Sequence, residues 1–522
     1  MSRRRVCLPL VALLLLPALE AGAARPPVCP MPALADRCEV WSAVVDHEPG
    51  HASGTGIDVF VASVASPDGA TVYAAGYSQS AAGGLDALLV ASDVTTGQTR
   101  WVRRWAGPSD ATDAFLDVAL SLDGSRVYAA GSRDGIAQAN AGDYLVVAYD
   151  AATGDTLWTS GYDGGGMDAG QALAVGPAHP EAPPGSDLVY VTGQSDGEGM
   201  DAATVALDGT TGAIRWTDRF AEATGFVPWD STYDLAVSAD GMRLYVVGDT
   251  YNETTSIFDG VVLGYETGML DDEDTQVGGE RAWERRLPRA TVYRVLGAGD
   301  AVVVAGKTWR DLSSAVGGFE PSDLLATALD AASGDVRWTD RYTGASPTMG
   351  ENLATAIAPS ATPGRVYVAG IASGLVDADD DMVVIAYDVA TGGRTWTSTY
   401  GAPGHIGDAP LALVESGNRV VVTGVSAPSI ARFRQISNPT IFVPISGDPP
   451  QADATTLGLD VVTGRAFWTA RFNAAEHGTD AGYGWSVASA GERVVVAGHT
   501  QRASSPSDGN RYDGLLIAYA VA

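Results

Sequence analysis

A single lysine, Lys307, stands among 522 residues, and cysteine occurs three times. Against 63 acidic residues there are 32 basic ones, a formal charge of −31. Such a balance disfavours nucleic acid and anionic membranes as partners. It fits solubility and Asp-rich turns, and more sharply the attraction of cations or basic ligands. No segment reaches 18 consecutive apolar residues, so no membrane span is expected. No stretch carries a convincing helical period, and no nucleophile elbow or Ser/His/Asp spacing is found.

What is abundant is repetition. The skeleton A-x-D-x-x-x-G-x-x-x-W runs through Ala148–Asp150–Gly154–Trp158. It recurs at Trp101, Trp216, Trp338 and Trp396, and at Trp468 with glycine in place of the alanine. A stretched copy ends at Trp283, its turn lengthened by the acidic insertion Asp271 to Asp274. Upstream of each copy an apolar run ends in glycine, at Gly76, Gly131, Gly193, Gly248, Gly306, Gly370, Gly424 and Gly498. The period of about 60 residues is that of propellers and solenoids. Each unit reads as four short strands, a to d, joined by D-G and T-G turns. The predicted fold is therefore all-β, an eight-bladed propeller of four-stranded antiparallel blades. The eighth unit lacks its tryptophan strand, which the N-terminal EVWSAVVD supplies through Trp41, closing the ring and removing two sheet edges.

Three regions follow. Residues 1–23, with three arginines, an apolar stretch and small residues near Ala23, read as a signal peptide, so a secreted or periplasmic location is expected. Residues 24–37 form a tail in which Cys29 is expected to pair with Cys38. Residues 38–522 form one propeller domain, expected to be monomeric.

Length variation concentrates in the b–c loops, so ligand or partner contacts are placed on the b–c/d–a rim. Lys307, Trp309, Arg432 and Arg434 are the candidate contacts for a protein or glycan. The tryptophans Trp41, Trp101, Trp158, Trp216, Trp283, Trp338, Trp396 and Trp468 are read as packing. The aspartates that begin strand c (Asp86, Asp143, Asp201, Asp259, Asp323, Asp381, Asp453, Asp513) are read as bonding local backbone N–H groups.

Three motifs approach chemistry. HEPGH, His47 to His51, matches a zincin pattern, but Pro49 and Gly50 forbid the helix it needs. His47, His51, His405, His477 and His499, with Glu476 and Asp480, are a weaker rim set for a metal. AGKT at Ala305 to Thr308 lacks the first glycine and the helix of a phosphate loop. LVDADDD offers Asp377 and Asp379 as oxygen ligands for Ca²⁺, without the glycine and final Glu of an EF-hand.

The A-x-D-x-x-x-G-x-x-x-W units resemble the tryptophan-docking repeats of quinoprotein (PQQ) dehydrogenases, and the blade sequences also resemble SBBP-type repeats of secreted bacterial propellers. The resemblance covers about residues 38–522 and implies the eight-bladed fold. It also implies PQQ and Ca²⁺ as possible cofactors, but those enzymes hold their quinone between a tryptophan and a vicinal disulfide, and this chain has no adjacent cysteines. No catalytic residue carries over. The expectation is a non-catalytic binding or scaffolding module without a cofactor; the alternative is a divergent PQQ/Ca²⁺-dependent oxidoreductase of alcohols or sugars.

Overall fold

The computed structural model describes residues 39–521, leaving out 46–55, 81–83, 108–111, 135–141, 179–184, 198, 223–228, 268, 271–275, 311–320, 346–349, 374–379, 404–406, 428–451, 473–478 and 503–511. The first unit runs a to d through Asp58–Ala65, Thr71–Gln79, Leu85–Asp93 and Thr99–Trp105, each strand antiparallel to the next. The same order returns at 114–162, 168–220, 230–287, 290–342, 353–400 and 407–472. The eighth set joins Thr479–Ala490, Arg493–Arg502 and Tyr512–Ala520 to the N-terminal strand Glu39–Val45. No helix occurs among the described residues. The architecture is that of a multi-bladed β-propeller.

Why the skeleton repeats is visible in the turns between strands c and d. Asp150 Oδ1 accepts from the backbone N–H of Ala152 and Thr153 and from the Thr153 hydroxyl, at 3.0, 2.8 and 3.1 Å. Asp93, Asp208, Asp330 and Asp460 bond their turns likewise. The turn glycine then takes a positive φ, 74° at Gly154, where a side chain would be strained. A Cβ there would also meet the Trp101 ring at 2.7 Å, because seven of the eight tryptophans lie against the turn glycine of the following unit. Trp101 Nε1 donates to Ala151 O at 3.2 Å, and Trp41, Trp158, Trp283, Trp338 and Trp396 make the equivalent bond. All eight tryptophans are thus packing groups between units, Trp468 lying on Tyr519 with centroids 5.5 Å apart. Trp41, Trp158, Trp216 and Trp338 are half-buried and the other four buried. Trp216 meets the stretched turn of the fourth unit, and its Nε1 has no acceptor among the described residues.

The glycine ending each strand b has a different cause. Every strand a carries a bulge opposite it, as at Val61, between the pairs Phe60↔Gly76 and Ala62↔Ala75. The bulge turns a strand-a carbonyl toward the glycine: a Cβ on Gly131 would stand 1.9 Å from Ala114 O, and all eight glycines meet such an oxygen at 1.8 to 2.2 Å. Only glycine fits.

Neighbouring units are also joined by single parallel bridges, such as Leu85↔Thr112, Gly142↔Met167 and Asp380↔Gly407. A bridge of the same kind, Ile57↔Tyr512, links the last unit to the first. There Trp41 Nε1 and Arg493 both donate to Val94 O at 2.9 Å, and Ser63 bonds Ser486 at 2.9 Å.

Candidate binding site on the axis

The bulges place one residue per unit toward a common centre: Val61, Leu116, Gln171, Tyr233, Tyr293, Thr355, Leu411 and Trp485. Seven of these, with flanking residues including Asp117, Asp234, Arg294 and Ser486, line a cavity of about 240 Å³ to which every unit contributes. The flanking charges are asymmetric. Asp117 accepts from its neighbour Val118 N and from Leu173 N of the next unit, both at 2.8 Å. Asp234 does the same with Leu235 N at 2.9 Å and Val295 N at 3.0 Å. Each carboxylate therefore staples two units together while keeping a partly open face on the cavity. Protein surrounds both carboxyls, and this desolvation pushes Asp117 up to about 7 and raises Asp234. Arg294 opposes the rise at both.

One wall carries a buried chain of titratable groups. Tyr233 donates to Asp249 Oδ1 at 3.0 Å and packs on Tyr293, their ring centroids 5.6 Å apart. Lys307 Nζ donates to Glu351 Oε1 at 2.9 Å. Burial drives Asp249 to about 7, against the pull of Thr291, Tyr233 and Lys307. Burial opposes charge on Lys307, but Tyr293 and Glu351 more than offset it and hold the amine above its usual range.

On another wall Trp485 Nε1 donates to His499 Nδ1 at 2.7 Å. Tyr483, Trp485 and His499 stack, with Tyr483 and His499 4.7 Å apart and the Trp485 ring 5.8 Å from His499. His499 is fully buried, which lowers its pKa to about 3 and keeps it neutral.

Several expectations change here. His499, a member of the weaker rim set for a metal, is enclosed by the aromatic stack, and its Nδ1 accepts from Trp485. Lys307 was expected as a rim contact; its ammonium is largely buried and paired with Glu351. Trp309 is half-buried, 5.2 Å from Lys307 Nζ and stacked on Phe258 at 6.5 Å. Three of the strand-c aspartates hold structure together through arginine. Asp143 pairs with Arg133, its cross-strand neighbour, Asp201 with Arg219 at 2.8 Å and Asp323 with Arg310 at 2.7 Å. Asp259 accepts a backbone N–H, from Arg289 at 2.8 Å. His47, His51, His405, His477, Asp377, Asp379, Arg432, Arg434, Cys29 and Cys38 lie outside the described residues.

The ring of acids that does bond backbone begins strand a, and the sequence reading missed it. Asp113 accepts from Gly107 N at 2.6 Å and Asp134 N at 2.9 Å, Asp168 from Gly164 N at 2.7 Å and Asp230 from Glu222 N at 2.8 Å. A signal existed: Asp58, Asp113, Asp230 and Asn352 each stand eighteen residues ahead of a strand-b glycine. Carboxylate oxygens of Asp143, Asp163 and Asp168 lie within 4.8 Å of one another, close enough for a cation, but Arg133 already supplies positive charge to Asp143.

The sequence model of the family described as "Outer membrane protein assembly factor BamB" matches residues 142–262. No curated protein matches the chain. Among solved structures, the chain is similar to a quinohemoprotein alcohol dehydrogenase from Pseudomonas putida at 14% identity, covering 92% of this chain and 76% of that one with a TM-score of 0.48. It is similar to a europium-containing methanol dehydrogenase at 13%, covering 92% and 93% with a TM-score of 0.47. The WD40 repeats of RRP9 align at 14%, covering 92% and 97% with a TM-score of 0.40. With the tryptophan docking and the bulged strand a described above, the matched stretch identifies the fold of this chain as a PQQ-like β-propeller.

Proposed function

We propose that this chain is a secreted, non-catalytic binding module whose eight units close into one ring and whose ligand enters along the axis from the b–c/d–a rim. One observation carries the reading: the eight units converge on a cavity where the repeat breaks down. Framework positions are committed to docking and ion pairs, whereas the bulged positions and the residues flanking them differ from unit to unit and combine charge, amide, hydroxyl and indole. Such a concave surface with a few convergent polar groups is the default form of a binding site. A protein or glycan partner would meet the surrounding rim, where Arg432 and Arg434 remain candidate contacts.

The second reading is a quinone-dependent oxidoreductase, motivated by the family resemblance. The described lining fits it poorly. An anionic quinone would meet two carboxylates, Asp117 and Asp234, against the single guanidinium of Arg294, and the chain has no vicinal cysteines. Titration of the purified protein with PQQ, with and without Ca²⁺, separates the two, followed by tryptophan fluorescence and dye reduction with alcohols and sugars. Absence of saturation at tens of micromolar supports the binding module; Ca²⁺-dependent saturation with dye reduction replaces it with the oxidoreductase.

A further inference from the structure

The axial cavity contains charges of both signs that do not neutralise one another. Arg294 NH1 donates to the backbone oxygen of its neighbour Tyr293 at 2.9 Å, and no carboxylate lies within ion-pair reach of it among the described residues. A guanidinium has five N–H donors, so most of the fork is open to the cavity. Asp117 and Asp234 each accept two backbone N–H groups, about half of what a carboxylate can take. Those bonds come from two adjacent units and fix each carboxylate in place, so it cannot swing across to the arginine. Arg294 is nonetheless close enough for its charge to be felt at both.

Charges confined in a narrow cavity and kept apart by the scaffold are costly unless something pairs with them. A lone anion would gain Arg294 but be repelled by two carboxylates, and a lone cation meets the reverse. A molecule carrying both charges satisfies all three groups, and preorganised groups need no reordering to receive it. Trp485 adds an aromatic surface, held by its bond to His499, that suits an ammonium or quaternary ammonium group. At about 240 Å³ the cavity falls below the roughly 300–1,000 Å³ of sites for drug-sized ligands, so the occupant is small.

We propose that the axial cavity binds a small dipolar ion, of amino-acid or betaine size, with its carboxylate on Arg294 and its cationic group toward Asp117, Asp234 and Trp485. This rests on the reading that the axis is the binding site. The test is calorimetric titration of the full purified protein at low salt and about pH 8.5, where Asp117 is ionised, with glycine betaine and β-alanine, and with choline and acetate as single-charge controls. At least one dipolar probe should saturate, with each control weaker by tenfold or more. Arg294→Gln should weaken that binding at least tenfold while moving the unfolding midpoint little, since among the described residues the side chain bonds only its neighbour Tyr293. Asp234→Asn should weaken it as well; if that protein fails to fold, Arg294→Gln still decides. Trp485→Phe should remove the ligand-induced fluorescence change.

Choline or acetate binding as tightly as the dipolar probes overturns the ligand class. So does dipolar binding that survives Arg294→Gln, or no binding by any of the four at millimolar concentration. A wider small-molecule screen read through Trp485 then separates the two failures. A Trp485-dependent response to another ligand preserves the axial site, and its absence removes that site too.

Discussion

The periphery and the axis of this molecule are built from the same eight units, yet they obey different rules. At the periphery seven turns repeat one solution, a tryptophan against a turn glycine, and in six of them an aspartate bonds the turn. On the axis the equivalent bulged positions carry Val61, Leu116, Gln171, Tyr233, Tyr293, Thr355, Leu411 and Trp485. The difference follows from what each position touches. A tryptophan docked on a glycine has one shape that fits, whereas a side chain facing a cavity is not held to one shape by the unit beside it. Function is therefore to be sought where the repeat fails.

The comparison breaks most severely at the strand-b glycines, where shell and axis meet. Gly131→Ala would place a methyl group 1.9 Å from Ala114 O. Overpacking against backbone in a core should cost on the order of 3 kcal/mol or more, read as loss of soluble protein or of the urea midpoint. Next in size is Trp101→Ala, with an expected cost of about 3–5 kcal/mol. Trp216→Ala should cost about 1 kcal/mol less, because its indole N–H has no acceptor to lose among the described residues. Equal losses at the two sites would mean that the hydrogen bond contributes nothing beyond ring packing.

Smaller effects separate the regions by pH. Asp249 is raised by burial to about 7 from an unfolded value near ~4. Its contribution favours the fold at acid pH and is lost as pH rises through about 7. Asp330, held down to about 2 by Arg337 and its turn, behaves in the opposite sense, contributing above about 4 and losing that contribution as pH falls toward 2. Relative to the native chain, Asp249→Asn should therefore gain stability between pH 5 and 8, and Asp330→Asn should lose least below pH 3. Thermal midpoints across that range check both signs. Smallest of all should be the effect of Arg294→Gln on folding, within about 0.5 kcal/mol, although it removes the cavity's only described cation.

Much of the shell was legible in the sequence because it is a local pattern. The Asp, the turn glycine and the tryptophan of each unit stand at fixed spacing, and each spacing reflects a turn bond or a ring seated on the next unit. The strand-c aspartates were visible but their partners were not: Arg133, Arg219 and Arg310 reach them across strand pairs, which spacing does not encode. His499 and Lys307 looked like surface groups, since polar residues near loops commonly are. Their burial comes from Trp485 and Tyr483 in one case and Glu351 and Tyr293 in the other.

By itself, then, the sequence determined the repeat, the strands and the way one unit docks on the next, because short apolar runs and tight turns act over a few residues. Only the tertiary structure decided the cavity. Asp117, Asp234 and Arg294 lie far apart along the chain and occupy unremarked positions beside a bulge. They face a common space because eight bulged strands turn them inward together, and no local rule specifies that convergence.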